Sequence, residues 1–382
     1  MMFYDANRRG SRIAARILIA LLIVAGGIGI AGRGQISSGE LADIRTVIES
    51  AKSTRATAAA SMDFAQGTMH ANDFQSAITS TRRAVADYDQ LAASASLTRF
   101  TSDSPFAQFV FTPRATLLGT VDRLNNAANT MQTQTAALID AMETSFANDF
   151  RTDGGHWMVQ VDDPAAINEL VSRYGKQRSY QTLQEHLDDL KSLYNLEQRV
   201  RQQVADSIAA VHAGETNATQ IAVPTEAGAM DAAGWLGTAQ SVASTLGVQV
   251  KQTSVYGCPG ADDNGDDNAD MVIGFFCGGS QASRNEVNML TTNPEWPAVE
   301  RSPLLVDYTK HELAHRSIMI VCGTTEPEIA ANRTEAVTNS YAVQFLGASR
   351  ERIAGSQQGL AAYAMDAQSD QIAQSIHNGT CA

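Results

Sequence analysis

The sequence lacks a basic cluster outside its first sixteen residues. Its 382 residues include 28 Lys and Arg against 41 Asp and Glu, which gives a formal net charge of −13. A protein that binds nucleic acid needs a basic face to follow the phosphates. The charge balance therefore argues against a nucleic-acid partner, and the 44% of hydrophobic residues is enough to build a buried core.

Cysteine is also scarce, and its spacing excludes one class of metal site. The chain has four cysteines, all in its last third, and none of them forms the C-x-x-C pair of cysteine-based zinc sites. An even number of cysteines in an exported protein predicts disulfides, and four cysteines allow three connectivities. The cysteines therefore predict two disulfides rather than a metal site.

An uncharged run near the N-terminus predicts a membrane segment. The sequence ILIALLIVAGGIGIAG, residues 17–32, is short for a spanning helix and long for the core of a signal peptide. Four arginines precede it: Arg8, Arg9, Arg12 and Arg16. We interpret residues 1–36 as a cytoplasmic tail with a single-pass anchor, and a cleaved signal peptide is the alternative. In both cases the chain after Arg33 is extracytoplasmic, because the basic residues stay in the cytoplasm.

Helical patterns fill residues 37–215. Ser37 and Glu40 form a capping box, and apolar residues then recur at helical spacing as far as Gly214. The simplest interpretation is a bundle or stalk of antiparallel helices without catalytic spacing. Histidines in this region are isolated, and we interpret them as surface or packing residues: His70, His156, His186 and His212.

The composition changes after this helical region. Residues 216–230 have no periodicity and contain Pro and Gly, which predicts a linker. A short helical pattern, two β-rich runs (VQVKQTSVYGC and DMVIGFFC) and further helices follow, and this order predicts an α+β domain over residues 231–382. The stretch MVIGFF, residues 271–276, is either an edge strand that receives an extended peptide or an ordinary core strand.

Two histidines four residues apart stand on a predicted helix in this domain. The stretch HELAH begins at His311, and the helix runs from a Ser-Pro pair at 302–303 to a stop at Gly323. Positions i and i+4 share a face, so His311 and His315 can offer two ring nitrogens to one tetrahedral ion. Glu312 is one step round the helix and can reach a water on that ion without being a ligand. Since the chain has only seven histidines, this pattern rarely arises by chance.

A catalytic zinc site needs a third protein ligand and an open fourth position. Glu335 follows His315 by twenty residues on a second predicted helix, and Asn339 lies four residues further on the same face. Glu326 and Glu328 are alternative ligands by spacing. Glu335 is favoured because a residue on a helix is held more rigidly than one beside a proline.

The H-E-x-x-H pattern followed by Glu335 resembles the zincin metallopeptidases of the gluzincin, thermolysin-like type. The resemblance covers residues 230–382 at most. It implies one zinc ion, two histidine ligands from one helix, a glutamate ligand from the next, and Glu312 as the general base. In that family an aspartate usually follows the ligand glutamate by four and orients the first histidine. Here the position is Asn339, a neutral amide that raises ligand basicity less.

The resemblance and the N-terminal segment together predict a membrane-anchored, extracytoplasmic zinc metallopeptidase that cleaves a peptide or protein substrate. The alternative is a non-enzymatic surface or sensor protein, with a helical binding domain and an inactive, metal-binding zincin-like scaffold. The presence of Glu312 favours the enzyme. The tetrahedral intermediate also needs a donor for its negative charge, and three residues stay open for that role: Tyr341, Arg350 and His377.

An acidic stretch between the two β-rich runs predicts a second ion site. Oxygen-bearing side chains alternate there, at Asp262, Asn264, Asp266, Asn268 and Asp270. The spacing resembles the calcium loops of integrin-type repeats and, more loosely, an EF-hand loop, because alternate oxygen ligands can wrap one Ca²⁺. Asp267 stands where those loops usually have glycine. A solvated acidic hairpin tip is the alternative.

The positions of the cysteines relative to these elements predict their pairing. Cys258 and Cys277 flank the acidic stretch, so a bridge between them would clamp the base of the loop. Cys322 ends the H-E-x-x-H helix, so a bridge to Cys381 would tie the C-terminus to that helix. We therefore predict the disulfides Cys258–Cys277 and Cys322–Cys381.

Overall fold

The computed structural model describes residues 35–95, 100, 114–161, 163–176, 178–258, 272–278 and 283–382. This part of the chain is mostly helical with one three-stranded sheet, which confirms the α+β class. It forms two compact units. The first takes the described chain up to Asp149 together with Tyr174–Asn195, and the second takes Phe150–Arg173 and Leu196–Ala382.

The first unit is built from helices. Its segments are α1 (Ser38–Gly67), α2 (Gln75–Ala95), α3 (Arg114–Gln160) up to residue 149, and α5 (Leu183–Thr219) up to residue 195. The predicted capping box is present, since the Glu40 amide donates to the Ser37 hydroxyl and the Glu40 carboxylate accepts from the Ser37 amide at 2.9 Å. Ile44, Ile48 and Ala51 pack into the core, as their spacing predicts.

The division between the units differs from the predicted linker at 216–230. It falls inside the long helices α3 and α5, and α5 continues to Thr219. Helix α4 (Ala165–Gly175) follows Asp163, whose carboxylate accepts from the amide of the first helical residue at 2.9 Å. The sequence could not show this division, because the helical periodicity runs through it without a break.

The second unit contains the small sheet. Helix α6 (Ala232–Ser244) precedes three strands: β1 (Gln249–Thr253), β2 (Gly274–Phe276) and β3 (Glu286–Leu290). The strand order is β1-β3-β2, with β3 parallel to β1 and antiparallel to β2. The sequence analysis missed β3. Val287 and Met289 alternate into the core there, but so short an alternation is a weak strand signal.

The H-E-x-x-H motif lies on a helix that protein covers on nearly all sides. The helices after the sheet are α7 (Trp296–Val299), α8 (Leu304–Cys322), α9 (Thr334–Leu346), α10 (Arg350–Ser356) and α11 (Ala367–His377). Helix α8 carries the motif and packs against α6, the sheet, α9, α10 and α11. It ends at Gly323, whose left-handed backbone (φ 73°) is the predicted stop. The polar residues of the motif are therefore held inside the domain.

Both predicted disulfides are present. Cys258 pairs with Cys277 across a Cα–Cα distance of 5.4 Å and joins the segment after β1 to the end of β2. Cys322 pairs with Cys381 across 5.5 Å and ties the C-terminus to the end of α8. The second bridge thus fixes the motif helix in its domain.

Two predicted features lie outside the described residues. They are the membrane segment at 17–32 and the acidic stretch at 262–270. Within the described ranges, no helix is both long enough and apolar enough to cross a membrane. The anchor and the calcium site therefore stay predictions.

The calcium prediction has a thermal test. Between residues 262 and 270 the sequence holds five aspartates, which repel one another in the absence of an ion. Millimolar Ca²⁺ is therefore expected to raise the melting temperature of the purified protein, with Mg²⁺ at the same concentration as the control. A melting curve that Ca²⁺ leaves unchanged would identify the stretch as a polar turn.

Candidate metal centre

Three potential ligands converge between α8 and α9. His311 and His315 lie on adjacent turns of α8, with ring centroids 4.9 Å apart and ring planes at 88°. Glu335 is in the first turn of α9, and its Oε2 lies 3.1 Å from His311 Nε2 and 3.4 Å from His315 Nε2. The alternative ligands Glu326 and Glu328 are exposed and lie outside this cluster. The structure thus brings together the three residues predicted as ligands.

These distances suit a tetrahedral ion. Zinc binds imidazole nitrogen and carboxylate oxygen at about 2.0–2.2 Å, so two of its ligand atoms lie about 3.3–3.5 Å apart. The separations of 3.1 and 3.4 Å are close to that range. Oε2 of Glu335 is also shielded from solvent and makes no well-formed hydrogen bond with any described residue, which leaves a buried acceptor for a cation. The residues therefore fit a zinc ion.

Asn339 fixes the tautomer of His311. Its amide nitrogen donates to the Tyr363 carbonyl at 3.0 Å and to the Gln357 side-chain oxygen at 2.7 Å. A backbone carbonyl can only accept, so the amide oxygen is the atom that faces His311 Nδ1, 2.7 Å away. His311 Nδ1 therefore donates, and its Nε2 faces Glu335, which is the orientation of a metal-binding histidine. The predicted contact of Asn339 with the first histidine is present.

Thr338 orients His315 in the same sense. The Thr338 hydroxyl donates to the Thr334 carbonyl at 2.9 Å, so a lone pair of its oxygen faces His315 Nδ1 at 3.4 Å. The second contact is long, but it selects the tautomer in which Nε2 faces Glu335. Helix α9 therefore supplies the ligand Glu335. It also supplies a hydrogen-bond partner for Nδ1 of each of the two histidines.

The cluster is buried on its histidine side and reaches solvent on its glutamate side. The side chains of His311 and His315 are 6% and 14% exposed, against 32% for Glu335. Burial lowers the pKa of His311, but Glu335 and Glu312 outweigh burial and raise it to about 9. Burial raises the pKa of Glu335, and the two imidazoles bring it below its usual range. A metal that binds here displaces a proton from His311 and keeps one side accessible to water.

Glu312 is buried beside the ligands without being one of them. Burial raises the pKa of its carboxyl, and the opposing effects of His311, His315 and the Phe276 backbone amide are smaller. The net upward shift makes Glu312 a stronger base than an exposed glutamate. Gly274 of β2 lies against it, since a Cβ there would stand 3.1 Å from Glu312 Cγ and 3.2 Å from its Oε1. The missing side chain at Gly274 makes room for the carboxylate.

The three residues considered as oxyanion donors lie elsewhere. Tyr341 is fully buried and its hydroxyl donates to Glu215 at 2.8 Å. His377 pairs with the same glutamate, and Arg350 pairs with an aspartate of α11. Tyr341, one of the three candidates left open by the sequence, therefore serves Glu215. It follows Glu335 by six residues, which puts it on a different face of α9.

Tyr363 is a site residue that the sequence did not reveal. Its ring centroid lies 6.1 Å from that of His311, and its carbonyl accepts from Asn339. Burial, followed by the charges of Glu335 and Glu312, raises the pKa of its hydroxyl, which therefore stays protonated and able to donate. No local pattern marks this residue, because it lies in a short 3₁₀ turn far along the chain from the motif.

The arrangement combines three residues that could hold a metal ion with a second buried carboxylate, that of Glu312. Two imidazoles and one carboxylate are three protein ligands, and a fourth position can stay open on the exposed side. Comparison with protein-family models, with curated proteins and with solved structures finds no match, so the function has to be inferred from the site itself.

Proposed function

We propose that the chain is a zinc-dependent metallopeptidase of the gluzincin, thermolysin-like type. The convergence of His311, His315 and Glu335, with Glu312 buried beside them, carries the proposal. An inert metal-binding scaffold needs the three ligands alone. It has no use for a second buried carboxylate, whose desolvation is unfavourable. Glu312 therefore favours the enzyme over the scaffold.

The side chains around the cluster have separate roles in the proposed reaction. Bound zinc supplies a Lewis acid that acidifies water and polarises the scissile carbonyl. Glu312 accepts a proton from the attacking water and passes it to the leaving amine. Its raised pKa suits both steps, because the carboxylate first takes the proton and then releases it. Asn339 and Thr338 keep the two histidines turned toward the ligand position.

The substrate is proposed to lie along β2. This strand pairs with β3 on one side, and no other strand of the described chain pairs with β2, whose Phe276 amide donates to Glu312. An extended peptide can add to such an edge through backbone hydrogen bonds. Gly274 of β2 touches Glu312, so a peptide on this edge passes beside the base. These contacts favour the peptide-binding interpretation of the stretch at 271–276 over a plain core strand.

Gly274→Ala is expected to slow turnover about tenfold at unchanged zinc content. The added methyl displaces the Glu312 carboxylate by a few tenths of an ångström, and a misplacement of about 1 Å can reduce a rate about a hundredfold. Peptide-cleavage kinetics and metal analysis of the purified variant measure the effect. Gly237→Ala is the matched control, because a Cβ there meets nothing within 4 Å. Equal rates for the two variants would exclude a positioning role for Gly274.

We propose Tyr363 as the donor to the oxyanion, because its ring lies against His311 and its hydroxyl stays protonated. Tyr363→Phe is therefore expected to lower kcat by about 10²–10³-fold, as the loss of one such donor does. The zinc content and KM should change little, because the ring and the backbone carbonyl of Tyr363 are kept. Steady-state kinetics separates kcat from KM. Tyr341→Phe is the control, since its hydroxyl serves Glu215 and not the metal centre. A larger kcat loss in Tyr341→Phe than in Tyr363→Phe would overturn the assignment.

The cellular side of the reaction follows from the cysteines and the N-terminus. All four cysteines are paired in two disulfides, and such bonds persist in oxidising compartments outside the cytosol. We therefore propose that the peptidase lies on the extracytoplasmic side of a membrane, held by the predicted segment at 17–32. The net charge of −13 remains an argument against a nucleic-acid partner.

Chelation and reconstitution test the proposed function. A zinc chelator should abolish cleavage of a mixed peptide library, and Zn²⁺, but not Ca²⁺, should restore it. The purified full-length protein is the sample, and mass spectrometry of the products shows the cut sites. Zinc bound at the three ligands without any cleavage would support the inactive, metal-binding scaffold instead.

A further inference from the structure

A second cluster of ligand-type side chains lies between α5, α9 and α11. His212 and Glu215 stand three residues apart on α5, and His377 ends α11. Glu215 Oε2 lies 3.1 Å from His377 Nε2, and one ligand atom of each residue falls within 4.8 Å of the other two. The two imidazole rings stack with centroids 4.0 Å apart and planes at 22°. The cluster shares no residue with the metal centre on α8.

Glu215 is buried without a lysine or arginine beside it. Its side chain is 2% exposed, and within the described chain its ion pairing is confined to His377. An ionised carboxylate in such surroundings carries a desolvation penalty of several kcal/mol unless a cation compensates it. The cluster therefore has the electrostatics of a cation site.

Within the part of the chain that the structure describes, one ring nitrogen of the cluster has no hydrogen-bond partner. Nε2 of His212 is shielded from solvent and unpaired, whereas buried polar atoms are normally paired. Tyr341 donates to Glu215 Oε1 at 2.8 Å, so Oε1 is satisfied while Oε2 faces His377. An unpaired imidazole nitrogen beside a buried carboxylate oxygen is a donor set of the kind that binds a divalent metal.

A third cluster, in the first unit, shows how protein side chains alone can compensate the negative charge of a similar group. Asp140, Glu143 and His186 also bring ligand atoms within 4.8 Å of one another. There Arg178 pairs with Glu143 at 2.9 Å and His186 contacts the same carboxylate at 2.9 Å. The guanidinium supplies the positive charge, so this group is an ion-pair network and carries no metal proposal.

We propose that His212, Glu215 and His377 bind a second divalent metal ion of the zinc class. Two imidazoles and one carboxylate suit Zn²⁺ better than Ca²⁺ or Mg²⁺, which prefer oxygen ligands alone. The 3.1 Å between His377 Nε2 and Glu215 Oε2 is close to the separation of two zinc ligands, about 3.3–3.5 Å. The ion would be held by Glu215 Oε2 and His377 Nε2, with His212 as the third ligand.

The role of this ion is structural. Tyr341 holds Glu215, and Phe345 stacks on His377 with ring centroids 3.9 Å apart, so side chains of α9 cover the cluster. An ion held by ligands from two helices joins those helices. The ion fastens α11 to α5, and both helices contact α9, the helix that also carries Glu335.

The zinc content of the purified full-length protein tests the second site. After reconstitution with Zn²⁺ and desalting, elemental mass spectrometry should give two equivalents for the parent. Glu215→Gln keeps the size of the side chain but loses its charge, and it should give one equivalent, as should His212→Ala/His377→Ala. Glu328→Gln is the matched control, because it makes the same change at an exposed glutamate outside the ligand clusters, and it should keep two.

A parallel set of variants separates this site from the centre on α8. His311→Ala/His315→Ala should keep one equivalent, and a chelator should lower its melting temperature. The same chelator should have no effect once Glu215→Gln is added. One equivalent in the parent and also in Glu215→Gln would overturn the second site and leave the proposed peptidase intact. A further outcome is one equivalent in the parent that is lost in Glu215→Gln and kept in His311→Ala/His315→Ala. That result would support the second site and contradict the proposed peptidase.

Discussion

Glu312→Gln is expected to keep the fold and the zinc content of the parent while losing turnover by about 10²–10⁴-fold, the usual contribution of one proton-transferring side chain. Glutamine has nearly the size of glutamate and still fits against Gly274. It cannot accept a proton from water, and the three ligands are untouched. Cleavage kinetics on a fluorogenic peptide, with metal analysis and a melting curve, measure all three quantities.

Glu328→Gln is the matched control for this change. Glu328 is exposed and lies outside the ligand cluster, so the same substitution there should leave cleavage unchanged. A Glu312→Gln variant that cleaves as fast as the parent would show that the carboxylate is no general base. The inert, metal-binding scaffold would then be the better account of the domain.

His311→Ala and His315→Ala are each expected to abolish cleavage and to release one equivalent of zinc relative to the parent. Either variant leaves Glu335 with a single imidazole, and two protein ligands hold zinc far more weakly than three. At a free zinc concentration of about 100 times Kd, a bound ion stabilises the fold by about 2.7 kcal/mol. The variants should therefore melt at a lower temperature in zinc than the parent does.

The chain offers a control histidine for these variants. His156 is exposed and belongs to none of the ligand clusters in the described residues, so His156→Ala should keep the zinc content and the cleavage rate of the parent. Elemental analysis and calorimetry are run on all three variants side by side. A full complement of zinc in both His311→Ala and His315→Ala would show that the ion binds elsewhere.

Much of the metal centre could be predicted because its signals are local. Histidines four apart on one helix must share a face, and the helix boundaries follow from a proline at 303 and a glycine at 323. Glu335 and Asn339 are likewise four apart on the next helix, and the structure puts both against His311. Once α8 and α9 pack side by side, the cluster follows from helix geometry.

The remaining site residues depend on long-range packing, which a single sequence does not encode in any local pattern. Tyr363 reaches the centre because the chain after α10 folds back over Asn339. Gly274 matters because β2 packs against α8. His212 looks isolated in the sequence, and its partner His377 lies at the far end of the chain. The sequence analysis missed strand β3 for a related reason. Its local strand signal is weak, and its pairing with β1 and β2 stabilises it as a strand.

Anomalous diffraction at the zinc edge, on crystals of the reconstituted protein, tests the proposed centre most directly. The account predicts a zinc peak about 2.0–2.2 Å from Nε2 of His311, Nε2 of His315 and a carboxylate oxygen of Glu335. The peak should leave Glu312 outside bonding distance, with its carboxylate facing the fourth position. Zinc-replete crystals without a peak at these three residues, or with Glu312 bonded to the ion, would contradict the account.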